Sequence, residues 1–178
     1  MSIGRSFLCG LAAVLALLCA AQAQPKASLA ERVQRLEDVD AIRTVLLDYG
    51  RFLDARDFAS YSRLFAKDGE WIGGFGSVRG PAAIQAFMEK NIPGANTGNT
   101  YHLLSNFEIT VKSETATAWS RWAFIVPGAD GKPSIAQGGQ YNDTLVREDG
   151  HWKFKRRTAV TDIPRTPGGG ADSPAAKP

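Results

Sequence analysis

The sequence predicts an α+β domain, with N-terminal helices packed on one face of a curved, mostly antiparallel sheet. Two observations carry this expectation. Through the first half of the chain apolar residues recur at three- and four-residue steps, and after Thr100 the period changes to two. Helices first and an antiparallel meander afterwards indicate segregated layers rather than alternating units.

The first helix rests on Leu29, Val33, Leu36, Val39, Ile42, Leu46, Tyr49 and Leu53, which form the stripe of a long amphipathic helix. Gly50 weakens its last turns without forbidding them. A second, short helix is expected from Asp57 as its cap through Tyr61, Leu64 and Phe65. Gly69-Glu-Trp-Ile72 reads as a strand, Gly73-Gly-Phe-Gly76 as a turn at a strand edge, and Gly80-Pro-Ala-Ala-Ile84 as the opening of a third helix with proline in its first turn. Residues 91–100 read as a loop. Four strands follow: Tyr101–Val111, Thr115–Val126, Ser134–Val146 and Trp152–Thr161. Turn signals at Lys112-Ser-Glu114, Asp130-Gly131 and Asp149-Gly150 separate them.

Both ends lie outside the expected domain of residues 27–163. Arg5, the apolar run Phe7–Ala20 and the small-x-small step Ala21-Gln-Ala23 fit a cleaved secretory signal over residues 1–23, with a mature chain beginning near Gln24 in a periplasm or outside the cell. Cys9 and Cys19, the only cysteines, fall inside that segment, so the exported chain would form no disulfide. Lipidation at Cys19 is disfavoured because the residue before it is leucine. From Pro164 onward the Pro- and Gly-rich sequence offers almost nothing to bury and reads as a disordered tail.

Loss of residues 1–23 removes one positive charge, Arg5, and takes the formal balance from +3 to +2. That is nearly neutral. Lys153, Lys155, Arg156 and Arg157 make the one dense basic run, and their alternation with Trp152 and Phe154 reads as a strand with one wet face rather than a nucleic-acid footprint. Two histidines and no mature cysteine leave too few ligands for a typical zinc site. No dinucleotide or phosphate loop and no G-x-S-x-G context is present, and no cofactor is indicated. No membrane span is expected once the signal is removed.

His102, in His102-Leu-Leu-Ser-Asn106, is the side chain best suited to move protons near neutral pH, and a carboxylate behind it would fix its tautomer. On a helical wheel Asp54 lies about 120 degrees from Ile42, at the edge of the buried stripe. It can reach sideways into a cavity, or be an exposed helix-end aspartate beside Arg51 or Arg56. Tyr49 lies on the stripe as an acid or as a core tyrosine. By strict alternation His102 shares a strand face with Leu104, Asn106 and Glu108, a face that is either wet or the lining of a pocket. Asn106 would orient a neighbour. Tyr141 and Arg157 have plainer readings as a core aromatic and as a surface cation paired with Asp143 or Glu108. His151 sits in a turn and is expected to be solvated.

Phe65-Ala-Lys-Asp-Gly-Glu-Trp71, Gly80-Pro-Ala-Ala-Ile84, His102–Asn106, Gly138-Gly-Gln-Tyr141-Asn-Asp143 and Asp149-Gly-His-Trp152-Lys-Phe-Lys-Arg-Arg157 together resemble successive landmarks of the SnoaL-like group of the nuclear transport factor two-like superfamily. The resemblance covers nearly the whole expected domain and implies a cone-shaped barrel. It is strongest to members that perform eliminations: scytalone dehydratase, bile-acid 7α-dehydratase and hexachlorocyclohexane dehydrochlorinase. It implies a His102/Asp54 dyad at the bottom of an apolar cone, with Tyr49 facing the leaving group and Trp71, Tyr141 and Arg157 as walls that hold substrate. It also implies a homotrimer or homodimer through the outer sheet face, where alternation places Tyr101, Phe107 and Trp119. The expected activity is that of a cofactor-independent lyase or isomerase acting on a small apolar cyclic molecule. The alternative is a non-catalytic binding module, favoured if Asp54 points to solvent.

Overall fold

The computed structural model describes residues 27–164, apart from residue 93 and residues 95–97. The expected signal segment and all of the expected tail beyond residue 164 lie outside the described residues. The chain divides into two compact units, one ending at Arg32 and the other running from Val33. In the first, Ser28 and Glu31 form a reciprocal capping box: the Ser28 amide donates to Glu31 Oε2 at 2.7 Å and the Glu31 amide to Ser28 Oγ at 3.2 Å. Apart from residues 29–32, everything that follows belongs to the second.

Helix α1 spans Leu29–Ala55, α2 Phe58–Arg63 and α3 Pro81–Asn91; the strands are β1 Phe65–Gly73, β2 Gly76–Arg79, β3 Tyr101–Lys112, β4 Thr115–Pro127, β5 Pro133–Glu148 and β6 His151–Ile163. Asp57 caps α2 by accepting from the Ser60 amide at 2.9 Å, and Pro81 opens α3, both as the sequence predicts. Helix α2 ends earlier than expected. Phe65 leaves it to pair with Phe154, and the Phe154 amide donates to the Leu64 carbonyl at 2.8 Å. Strand β2 went unseen in the sequence because its four residues are mostly exposed and carry no apolar alternation.

The strands form one sheet in the order β2-β1-β6-β5-β4-β3, antiparallel except for the β1–β6 pair. With β2 and β3 at its edges the sheet is curved but does not close into a barrel. Its inner face and the helices share one core of Ile42, Leu46, Tyr49, Tyr61, Phe65, Ile84, Trp122, Tyr141, Leu145 and Phe154 among others. The stripe of α1 is buried only from Asp38 on. Val33 and Leu36, expected inside, are exposed, while Ile42, Leu46, Tyr49 and Leu53 are buried as expected.

Two irregularities decide which side chains face inward. Between Ser105 and Glu108 the β3–β4 register shifts, with Asn106 in the left-handed region at φ 54°. His102 and Leu104 precede the shift on the inner side; Phe107, Ile109 and Val111 follow it on that same side. Phe107 is therefore part of the inner packing and not of the outer face. A second shift, between Thr144 and Leu145 on β5, steps from Arg156 to Phe154 on β6. It inverts the parity of β6 and places Arg157 inside, fully buried, where simple alternation left it on the wet face.

Candidate active site

The last two turns of α1 and the first residues of β3 meet at Gly50. A Cβ built there would lie 2.9 Å from Leu104 Cδ1 and 3.8 Å from His102 Cβ, so a bare backbone allows this approach. One turn further along, the Asp54 carboxylate reaches β3 with both oxygens. Oδ2 accepts from the His102 backbone amide at 2.8 Å, and Oδ1 lies 2.6 Å from His102 Nδ1. The two side chains are mostly buried, at 15% and 18% exposure. An aspartate on Nδ1 selects the tautomer with its proton there, which leaves Nε2 as the nitrogen able to take a proton. The His102 ring sits against Phe124 and Trp122, at centroid distances of 4.9 and 6.2 Å.

Beside the dyad lies a dense aromatic cluster. The Tyr49 hydroxyl accepts from Trp71 Nε1 at 3.0 Å, and the Tyr49 ring packs on Tyr61 and Tyr141 at 4.8 and 5.3 Å. Burial foremost, and then the neighbouring Tyr49 phenol, pushes both the Tyr61 and Tyr141 hydroxyls well above their ordinary range. They stay protonated. Trp122 stacks on Tyr141 at 5.8 Å and links this cluster to His102.

Arg157 lies in the middle of the cluster. Its guanidinium stands 4.0 to 4.2 Å over the Tyr49, Tyr141 and Phe154 rings and makes a bidentate pair with Asp143 at 2.8 and 2.7 Å. Neither side chain of that pair is exposed. Burial raises the Asp143 carboxyl above its ordinary value, and Arg157 opposes that shift. Burial also works against the Arg157 charge, but Asp143 outweighs it and holds the guanidinium protonated. Two parallel N–H donors to two oxygens require an ionised carboxylate, so the pair is a neutral unit of opposite charges.

Of the predicted residues, His102 and Asp54 come together as a hydrogen-bonded pair, and Tyr49, Trp71, Tyr141 and Arg157 form one cluster. Asn106 does not join them. The bulge turns it outward and exposed, so it cannot orient a group at the dyad. His151 is exposed at the start of β6. Asp143, Ser120, Trp122 and Tyr61 also line the interior. A signal for two of them was present: Ala116, Ala118, Ser120 and Trp122 alternate along β4, which marks a serine within a buried row. Two hollows of about 480 and 300 Å³ lie elsewhere, one lined by residues including Arg63, Phe65 and Trp152, the other by residues including Thr110, Thr144 and Lys155.

The sequence pattern of the SnoaL-like domain family matches residues 34–158, which is most of the chain. The chain belongs to the SnoaL-like family. Among solved structures, this SnoaL-like chain is similar to a nuclear transport factor two-like protein with a cystatin-like fold from Novosphingobium aromaticivorans, at 25% identity over 91% of this chain and 94% of that one, with a TM-score of 0.63. It is also similar to a scytalone dehydratase-like protein of the same organism, at 29% identity over 72% and 87% of the two chains, TM-score 0.59. The fold is shared with hexachlorocyclohexane dehydrochlorinase LinA-type3 of Novosphingobium barchaimii at 18% identity, 74% and 90% coverage, TM-score 0.61. A comparison with curated protein sequences finds no match.

Proposed function

We propose that this SnoaL-like domain is a cofactor-independent lyase or isomerase that removes a carbon-bound proton from a small, largely apolar cyclic substrate. The observation that carries the reading is the double grip of Asp54 on His102, ring nitrogen and backbone amide together. A carboxylate fixed in this way holds the imidazole in one orientation and stabilises the imidazolium formed when Nε2 takes the proton. The Tyr49 hydroxyl, which accepts from Trp71, is the donor we assign to a departing oxygen. Asp54 is turned to His102 rather than to solvent, which supports the catalytic reading over that of a binding module. Solved proteins of this fold with dehydratase and dehydrochlorinase names are consistent with elimination chemistry.

The test is deuterium uptake from heavy water into a panel of small cyclic carbon acids, followed by NMR. The wild-type protein should accelerate exchange in at least one compound, His102→Ala should lose about 10² to 10⁴ of that rate, and His151→Ala should match wild type. Undiminished exchange by a folded His102→Ala protein would remove the imidazole from the chemistry.

We further propose that the protein acts outside the cytoplasm, supported by the Arg5, Phe7–Ala20 and Ala21-Gln-Ala23 pattern. Amino-terminal sequencing of the protein from its host should begin near Gln24, with no titratable thiol. A start at Met1 in the exported fraction would contradict this.

A further inference from the structure

We infer that Ser120 and Trp122 form an anchor for a neutral oxygen of the substrate, a ring carbonyl or hydroxyl, on the wall beside His102. The inference rests on the proposed function only in taking the interior as the substrate site. The chain has four tryptophans. Three indole N–H groups have partners: Trp71 donates to Tyr49, Trp119 to Gln140 and Trp152 to Asp38. Trp122 Nε1 is buried and has none, and it is the indole that packs beside the His102 ring. Two positions earlier in the same buried row of β4, the fully buried Ser120 Oγ is also without a partner. Buried polar groups in folded proteins are nearly always paired, so two such groups on one wall point to a guest that completes them.

Their chemistry narrows the guest. An indole N–H can only donate, so its partner must be an acceptor; a hydroxyl can do either. A hydrocarbon offers no lone pair, whereas a carbonyl or hydroxyl oxygen can take both donors. Charge narrows it further. Among the described residues Arg157 is the fully buried cation; its Nη1 has no partner, but Asp143 balances its charge through two bonds, and Asp54 is a second carboxylate nearby. A ligand carboxylate would therefore add an uncompensated anion to this interior, while a neutral oxygen adds none. A carbonyl in this place would also lend acidity to an adjacent C–H facing His102.

The test measures binding of 1-tetralone, tetralin and 1-naphthoate by calorimetry, with deuterium uptake into 1-tetralone read in parallel. Wild-type protein should bind 1-tetralone at least about tenfold more tightly than tetralin or 1-naphthoate. Trp122→Phe and Ser120→Ala should each reduce that preference, and the double variant should abolish it. Ligand-free Ser120→Ala should melt no lower than wild type, because an unpaired buried hydroxyl is being removed. His102→Ala should keep the binding preference while losing exchange. Loss of exchange with no preference sinks the anchor and leaves the dyad standing; preference with exchange intact in His102→Ala does the reverse. Equal binding of the three probes, binding of none, a preference unchanged in both wall variants, or a lower melting temperature for Ser120→Ala would each overturn the anchor.

Discussion

At His102 one carboxylate serves two nitrogens, and the two can be separated by substitution. Asp54→Asn keeps an acceptor oxygen for the backbone amide, so the junction of α1 and β3 should survive. The amide cannot stabilise an imidazolium and can favour the wrong tautomer, so proton abstraction should fall by about 10³-fold or more. Because the two residues act as one unit, Asp54→Asn with His102→Ala should be barely slower than His102→Ala alone. Additive losses in exchange rate would show that they act separately. The residues of this pair were legible in the sequence from their types, their edge-of-stripe position and the family resemblance. Asn106 was not. Its predicted place followed from strict alternation, and a left-handed residue two positions before Glu108 resets that alternation. Arg157 shows the same effect with the opposite outcome, since a bulge carries it inward to Asp143. Period-two reasoning holds within a run of regular pairing, and a bulge gives little sign of itself in composition.

Among the elements, α1 is tied to the sheet at both ends of its buried stretch, by Asp54 near its end and by Asp38 near its start. Asp38 accepts from Trp152 Nε1 at 3.3 Å, from Gln34 at 3.2 Å and from Arg147, which also lies 4.6 Å over the Trp152 ring. Burial works against the Asp38 charge, but the Arg147, Trp152 and Gln34 bonds outweigh it and hold the carboxyl below its ordinary value. A lowered folded-state pKa gives stability that is present above the unfolded value, near 3.8, and is lost as pH falls through the lowered one. Asp143, raised by burial, has the opposite sign: its contribution is present below the ordinary value and is lost as pH rises through the raised one. Comparing wild type with Asp38→Asn isolates the first term. The variant should be less stable by about 2–3 kcal/mol at pH 7, and the gap should shrink at pH 3, as read by urea unfolding. An equal gap at both pH values would show that the Asp38 charge contributes nothing. In sequence this aspartate looks like any exposed helix residue, because Arg147 and Trp152 lie over a hundred positions away.

For the whole molecule, the outer side of the sheet is the face still to be covered. Tyr101, Ile125 and Ile135 share one row of the register, and Leu103, Ala123, Gly138 and Ile163 the next. Tyr101, Leu103, Ile135 and Ile163 are 49–61% exposed, which makes a contiguous apolar patch of the kind that marks an association surface. We propose that the chain self-associates through these rows. Trp119 contributes less, being half-buried and bonded to Gln140. Light scattering should give a dimer or trimer at micromolar concentration, and Leu103→Glu with Ile135→Glu should give a monomer. A monomeric wild-type protein would leave the patch unexplained. The α+β class and the meander were readable because each rests on many residues; the parallel β1–β6 pairing was not, since it joins segments eighty or more positions apart.

Gly50 turns the spacing of the dyad into a question of clearance. An added methyl there would meet the end of the Leu104 side chain, which can rotate away, whereas a larger side chain would press on the strand that carries His102. A contact of 2.6 Å has almost no slack, and a rigid helix transmits a shift at Gly50 to the carboxylate one turn away. The orientation of the imidazole is thus open to adjustment from a position outside the dyad. Displacing α1 by a fraction of an ångström would loosen the imidazole without altering any group that takes part in proton transfer.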